Sequence, residues 1–444
     1  MYKSSLALAV AMGVLAQQAG AAGFIEDSKL SVSSRTMYFN NDTRENNVKD
    51  NRESGQGFKL DYISGFTEGT VGFGVDAQAL WGIHLDGGRG KHPDNSSFFP
   101  SDSDGSAASQ WARFGANAKA RFSKTEAHFG SALAPMLPIL VSNDGRLLPQ
   151  TFEGATITSK EIDNLTINAG QLTHAMGRAS SNRTGLSVNG ATADSNKFRY
   201  GGLDYKLTPD LTLQYYYSNL EDFYKQHFLG ATHVFKIADD QSFKTDLRYF
   251  DSSSDGKNGD GGAYAFNNNS GYAKHAGEVD NKTWSAMFTY TLGGHALMLG
   301  HQRVSDDGGF VWLNQGSVRD GNGRPEGAGG ASFYLFTDSM INQFAKAGEN
   351  TTFGQYSYDF AGLGVPGLKA SVAYLRGEDG RNANGNGTFS EWERDARIDY
   401  VLQQGTLKGL GFSLRQGVYR GTGASSLADQ DQTRFIVNYT YSFL

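Results

Sequence analysis

The chain has 444 residues, with 40 Lys and Arg against 46 Asp and Glu, and its formal net charge of -6 gives no global reason to expect nucleic acid as a partner. It holds no Cys, so a disulfide framework is excluded. The mean hydropathy of -0.45 excludes a protein built from membrane-spanning helices. Gly supplies 57 of the residues, roughly 13% against a usual share of ~7%.

In chain order, residues 1–22 read as a secretory signal peptide. Lys3 gives a short positive start, Leu6 to Leu15 an apolar stretch, and Ala19-Gly20-Ala21-Ala22 the small residues of a cleavage site. From there to the end the pattern is period-two alternation over about ten residues, broken by polar turns. In 68–81, Val71, Phe73, Val75, Ala77, Ala79 and Trp81 share one side, opposite Gly72, Gly74, Asp76 and Gln78. In 112–122, Phe114, Ala116, Ala118, Ala120 and Phe122 alternate with Arg113, Asn117, Lys119 and Arg121. The final segment sets Phe435, Val437, Tyr439, Tyr441 and Phe443 against Arg434, Asn438, Thr440 and Ser442.

A soluble sandwich alternates too, so the medium must be read from the character of the two sides. Arg and Lys recur mid-strand here, while the apolar side carries many small residues and ends in Tyr, Trp or Phe, as an aromatic girdle would. Short connections such as Ser123-Lys124-Thr125, Thr208-Pro209-Asp210 and Val365-Pro366-Gly367 alternate with long ones near 85–110, 174–196, 251–279, 305–350 and 379–393. The expected fold is all-β, a transmembrane antiparallel β-barrel of about eighteen strands with short periplasmic turns and long extracellular loops. It forms one domain over 23–444, and a barrel of that size encloses an aqueous channel.

A selective pore needs a constriction and oriented charge at it. The segment 135–150 holds three of the eight prolines, so it is no central strand. Yet it is too apolar for a free loop in water, which predicts a third extracellular loop folded into the lumen, with Asp144 and Arg146 at the constriction. Parity supplies the wall charges: Arg397 alternates with Ile398, Arg415 with Leu414, Arg434 with Phe435, and Lys59 with Phe58 and Leu60. Arg35 lies between Ser34 and Thr36. Closing the barrel sets the first strands beside the last, so these five fall on contiguous wall, and Arg113, Lys119 and Arg121 extend the basic stripe. Arginine suits carboxylate because its planar fork donates two parallel hydrogen bonds and stays charged.

Other signals carry little. Gly362-Leu363-Gly364-Val365-Pro366-Gly367 fits G-x-G-x-x-G, but a strand pattern follows it, so no helix N-terminus is available for a phosphate. Asp255 to Asp260 lacks the terminal Glu of a calcium loop. No G-x-S-x-G or H-E-x-x-H occurs. No metal, cofactor or catalytic residue is expected.

Gly23-Phe24-Ile25-Glu26-Asp27-Ser28, Gly69 to Asp76, Arg146-Leu147-Leu148-Pro149-Gln150-Thr151-Phe152, Gly327-Ala328-Gly329-Gly330, Gly364 to Leu368, and Leu414-Arg415-Gln416 form a recognisable set. On these residues the chain resembles, over nearly its whole mature length, the OprD-type substrate-specific porins, also called Occ channels. It implies an eighteen-stranded outer-membrane barrel in which a basic ladder guides small carboxylate-bearing nutrients such as amino acids or aromatic acids. By position Arg35 and Arg415 match ladder arginines, whereas Ser413 stands where some members carry another Arg. The expected surroundings are outer-membrane lipid, lipopolysaccharide and the barrel-assembly machinery, with the protein a monomer or weak homotrimer. The rival readings are a barrel hydrolase of the outer membrane and a structural or adhesive barrel with a closed lumen.

Overall fold

The computed structural model describes residues 23–44, 50–87, 91–93, 96–315, 330–423 and 425–444; the segment read as a signal peptide and residues 327–329 lie outside it. The strands run, in order, β1 (Lys29–Thr43), β2 (Asn51–Ile63), β3 (Val71–Asp86), β4 (Gln110–Phe122), β5 (Thr125–Leu133), β6 (Met136–Leu137) and β7 (Leu140–Val141). There follow β8 (Thr151–Ser159), β9 (Leu165–Met176), β10 (Phe198–Thr208), β11 (Leu211–Leu220), β12 (Tyr224–Ala238), β13 (Gln241–Ser254) and β14 (Asp280–Leu292). The last are β15 (His295–Val304), β16 (Asn350–Asp359), β17 (Leu368–Arg381), β18 (Thr388–Val401), β19 (Gly411–Thr422) and β20 (Gln430–Ser442).

Apart from β6 and β7, which form a separate two-stranded sheet, every strand runs antiparallel to its neighbours in sequence. The ring closes where β20 pairs β1 from Ser31↔Ser442 to Thr43↔Gln430. Eighteen strands therefore form one closed antiparallel barrel. Closure leaves no edge strand, which is the condition for a sheet to sit in hydrocarbon, where an unpaired backbone group costs several kcal/mol.

Side-chain parity separates the two faces. Phe73, Phe114, Phe129, Leu299 and Ile398 are exposed on one. Asp76, Arg113, Lys119, Arg397 and Arg434 take the alternate positions. Large apolar side chains toward the surroundings and charge toward the interior are the inverse of a soluble core, and they match a membrane barrel.

Connections alternate in length as expected, with one boundary moved. The stretch near 379–393 is mostly strand, because β17 runs to Arg381 and β18 starts at Thr388. Asp379, with φ of 63°, and the register shift between Gly377 and Gly380 mark a bulge inside the ladder, and its polar residues read as a loop. The Gly362 to Gly367 stretch is a tight turn, with a 3-10 helix over Phe360–Leu363, left-handed Gly364, and then β17.

Candidate functional site

The wall charges come together through register. In β18, β19 and β20, Arg397 pairs with Arg415 and Arg415 with Arg434, so three guanidinium-bearing positions stand side by side on the interior face. Arg35 is not in that line: it stands opposite Asn438, four residues beyond Arg434 and about 13 Å along the strand. Lys59 is opposite Ser33, two residues further again in the same direction along β1.

The partners of these groups differ. Arg397 is exposed and donates from Nε to Asp399 Oδ2 at 2.5 Å, and Lys59 pairs with Asp61 at 2.8 Å. Arg415 donates from Nε to Ser413 Oγ at 3.0 Å and, among the described residues, makes no ion pair. Arg434 is buried and donates to Gln432 Oε1 at 2.7 Å and to the Met340 carbonyl at 2.6 Å. The three arginines line a chamber of about 420 Å³, whose other wall is Leu335, Phe336, Asp338, Ser339 and Met340.

Segment 134–150 carries the small β6–β7 hairpin and then runs along the wall. Leu147 and Leu148 are buried with Met37, Phe39, Leu80 and Ile436, all at interior parity. Gly57 makes the close approach possible, since a Cβ there would lie 2.9 Å from the Leu147 carbonyl oxygen. Asp144 receives Arg35 in a two-pronged contact, Nη1 to Oδ1 at 2.7 Å and Nη2 to Oδ2 at 3.0 Å, and the Arg146 carbonyl accepts from the same Nη1 at 2.6 Å. Arg35, Lys59, Asp144, Asn438 and Thr440 line a second, smaller chamber. The Arg146 guanidinium lies over the Phe39 ring at 4.9 Å and donates to Ser97 Oγ.

The basic positions of β4 are engaged locally. Arg113 is buried and donates to the carbonyls of Gly177, Ser180 and Pro149, tying 134–150 to the loop after β9. Lys119 is buried against Asp76 and the Ser64 carbonyl, both at 2.7 Å. Arg121 lies over the Phe66 ring, 4.3 Å from its centroid.

Two interior arginines escape the sequence reading. Arg178, in the loop after β9, donates to Asn143 Oδ1 at 3.0 Å, and burial lowers its pKa to about 10, which leaves it charged at neutral pH. Arg248 in β13 chelates Asp246 and covers the Tyr334 ring at 3.6 Å. Loop residues have no period to reveal their direction. For Arg248 the alternation with Leu247 and Tyr249 is the signal that could have found it.

The model of the OprD family, outer membrane porin, matches residues 22–443. Porin D of Pseudomonas aeruginosa is 33% identical over 455 residues, covering 99% of this chain and 96% of the relative. Among solved structures, P. aeruginosa OccK8 (OprE) is similar with a TM-score of 0.83 and 46% identity, covering 95% of this chain and 100% of that one. P. aeruginosa OpdK, solved with vanillate, gives a TM-score of 0.80 at 33% identity with the same coverages.

Proposed function

Because the chain belongs to the OprD family of outer membrane porins, a family of substrate-specific channels for small solutes, we propose that its solutes carry carboxylates and that Arg397, Arg415 and Arg434 guide them. The observation that carries this reading is the register Arg397↔Arg415↔Arg434, in which Arg415 has no carboxylate partner among the described residues. Positive charge left uncompensated on an interior wall is an invitation to a mobile anion. Vanillate, named with the similar OpdK, is itself an aromatic carboxylate and supports the same class.

The passage is diffusion along a row of exchangeable partners. A carboxylate can take both prongs of one guanidinium while approaching the next, so leaving one partner coincides with gaining another. At ~4 Å a charge pair near a protein surface is worth roughly 4 kcal/mol before desolvation. That biases solutes toward the row, while the three neighbours keep any one of them from becoming a trap. Segment 135–150 supplies the narrowing: it folds inward, Asp144 occupies Arg35, and Arg146 adds charge beside the arginine row. Arg113 holds this segment in place, whereas Lys119 and Arg121 stabilise the wall.

Substituting Arg415→Ala should lower uptake of a small carboxylate and move the reversal potential in a salt gradient toward cation preference. Arg415→Lys keeps the charge but loses the fork, so it should preserve ion preference better than carboxylate uptake. If Arg415→Ala changes neither quantity in a folded barrel, the row is structural and the proposal fails.

A further inference from the structure

Beside the arginine row lies a second set of charges, of which Asp395 alone lines the arginine chamber. Glu391, Glu393 and Asp395 occupy successive interior positions of β18, and Glu349 at the end of the long β15–β16 loop reaches the same place. The three glutamates are at most 2% exposed, far from the usual fate of an unpaired carboxylate.

The loop is fastened to these carboxyls by its own backbone. Ile341 N and Asn342 N donate to the two oxygens of Glu393 at 2.8 Å each, and Met340 N donates to Asp395 Oδ2 at 3.2 Å. Asn342 Nδ2 and the Tyr419 hydroxyl donate to the two oxygens of Glu391, and Lys346 N donates to Glu349 Oε2. Yet, among the described residues, Glu349 Oε1 and Asp395 Oδ1 are buried with no donor. Each belongs to a carboxyl facing another carboxyl, Glu349 against Glu391 and Asp395 against Glu393. Gly377, opposite Glu391 in register, leaves room for this crowding: a Cβ there would lie 2.1 Å from Glu349 Oε1. Two facing carboxyls can share a contact only if one carries a proton, so both pairs make the same chemical demand.

Among the described residues, the positive charges facing the cluster are few. From the loop itself, Lys346 Nζ lies 3.7 Å from Glu391 Oε2 but donates to the Ser425 carbonyl. From β20, Arg434 adds an attractive charge to Asp395 and Glu393. Asp306, Asp379 and Arg381 surround Gly348 at the rim. Among the described residues, two like-charged pairs thus face one lysine and one arginine, and both of those have other partners.

We propose that the two carboxyl pairs form a proton-operated latch, which holds loop residues 339–349 against β18 when each pair shares a proton and releases them when it does not. Leu335, Phe336, Asp338, Ser339 and Met340 form one wall of the arginine chamber, so release of the adjoining segment widens the path beside Arg397, Arg415 and Arg434. The sign follows from linkage. Burial, with Glu391 alongside, holds the Glu349 carboxyl well above the ordinary range in the docked state. Docking therefore binds protons, is favoured in acid, and is lost as pH rises through the docked-state value. The latch goes beyond the carboxylate reading, since it governs access to the row whichever anion uses it.

The test is single-channel recording of the full chain in planar bilayers, from about pH 5 to about pH 9, comparing wild type with the double variant Glu349→Gln and Asp395→Asn, which puts the new amide nitrogens at the positions of Glu349 Oε1 and Asp395 Oδ1 and leaves both Glu393 oxygens to the loop N–H groups. Each amide supplies a permanent donor where the native pair needs a proton. Wild type should leave its low-conductance state as pH rises, with the closed-to-open dwell ratio falling roughly tenfold per pH unit for each proton released. The double variant should stay in the low-conductance state with a flat profile. A second variant covers a failure of the first to assemble: Ile341→Cys with Gly417→Cys, because a Cβ at 417 would lie 3.0 Å from Ile341 Cδ1 and the native chain has no Cys to interfere; the same Cβ would lie 3.0 Å from Asp395 Oδ1, so the reduced double Cys variant is the reference for the oxidised one. Oxidation should abolish the pH response and reduction should restore it. A wild-type profile that is flat, or a response that survives both the amides and the staple, overturns the latch. Absence of conductance at every pH would instead overturn the channel reading on which it acts.

Discussion

Arg35 shows how little the identity of a residue says without its partner. Its parity places it on the interior wall, yet Asp144 takes both prongs of its guanidinium, at 2.7 and 3.0 Å, and the Arg146 carbonyl takes a third contact. A carboxylate already seated on an arginine is a resident competitor for any carboxylate arriving from solution. Asp144→Asn should therefore raise anion preference and carboxylate uptake, because the fork is freed while the side chain keeps its shape. The check is reversal potential together with uptake of a small carboxylate, and an unchanged pair of values would show that Arg35 lies off the path. Parity makes the direction of Arg397, Arg415 and Arg434 readable, since a period of two leaves only two choices. It cannot show that Arg113 is spent on three carbonyls or Lys119 on Asp76, because those partners come from other strands and loops.

At the scale of elements, strands are legible and loops are not. Alternation locates the strands and their number, and proline density marks 135–150 as something other than barrel wall. The bulge at Asp379 looks like loop in the sequence because its residues are polar and include glycine, while its hydrogen bonds continue on either side. The β15–β16 loop is visible there only as a long connection. Its contributions, from the Tyr334 ring under Arg248 to the backbone donors on Glu393, depend on how it packs across the barrel. For segment 135–150 the expected outcome is clear. Excising the β6–β7 hairpin, residues 136–141, should raise conductance and weaken solute preference, since the apolar hairpin packs with Leu335, Phe333 and the β9–β10 loop. Conductance equal to wild type, in a barrel that still shifts on heating in gel electrophoresis, would place the segment outside the path.

For the whole molecule, local and global charge point in opposite directions. The chain carries a net charge of -6, while its interior seam from β18 to β2 gathers Arg397, Arg415, Arg434, Arg35 and Lys59. Screening decides between them: at physiological salt the Debye length is ≈ 8 Å, so charge on the outer loops fades before it reaches a solute inside, whereas charges on the lumen wall act at contact. Ring closure makes this possible, because β1, which carries Arg35, stands beside β20, which carries Arg434, only when the two strands pair. The most direct measurement is the reversal potential of wild-type channels in a planar bilayer, under a roughly tenfold gradient of the potassium salt of a small carboxylate. The arginine row predicts a potential of the sign set by the carboxylate. A potential set by potassium, as the net charge alone would give, would contradict it.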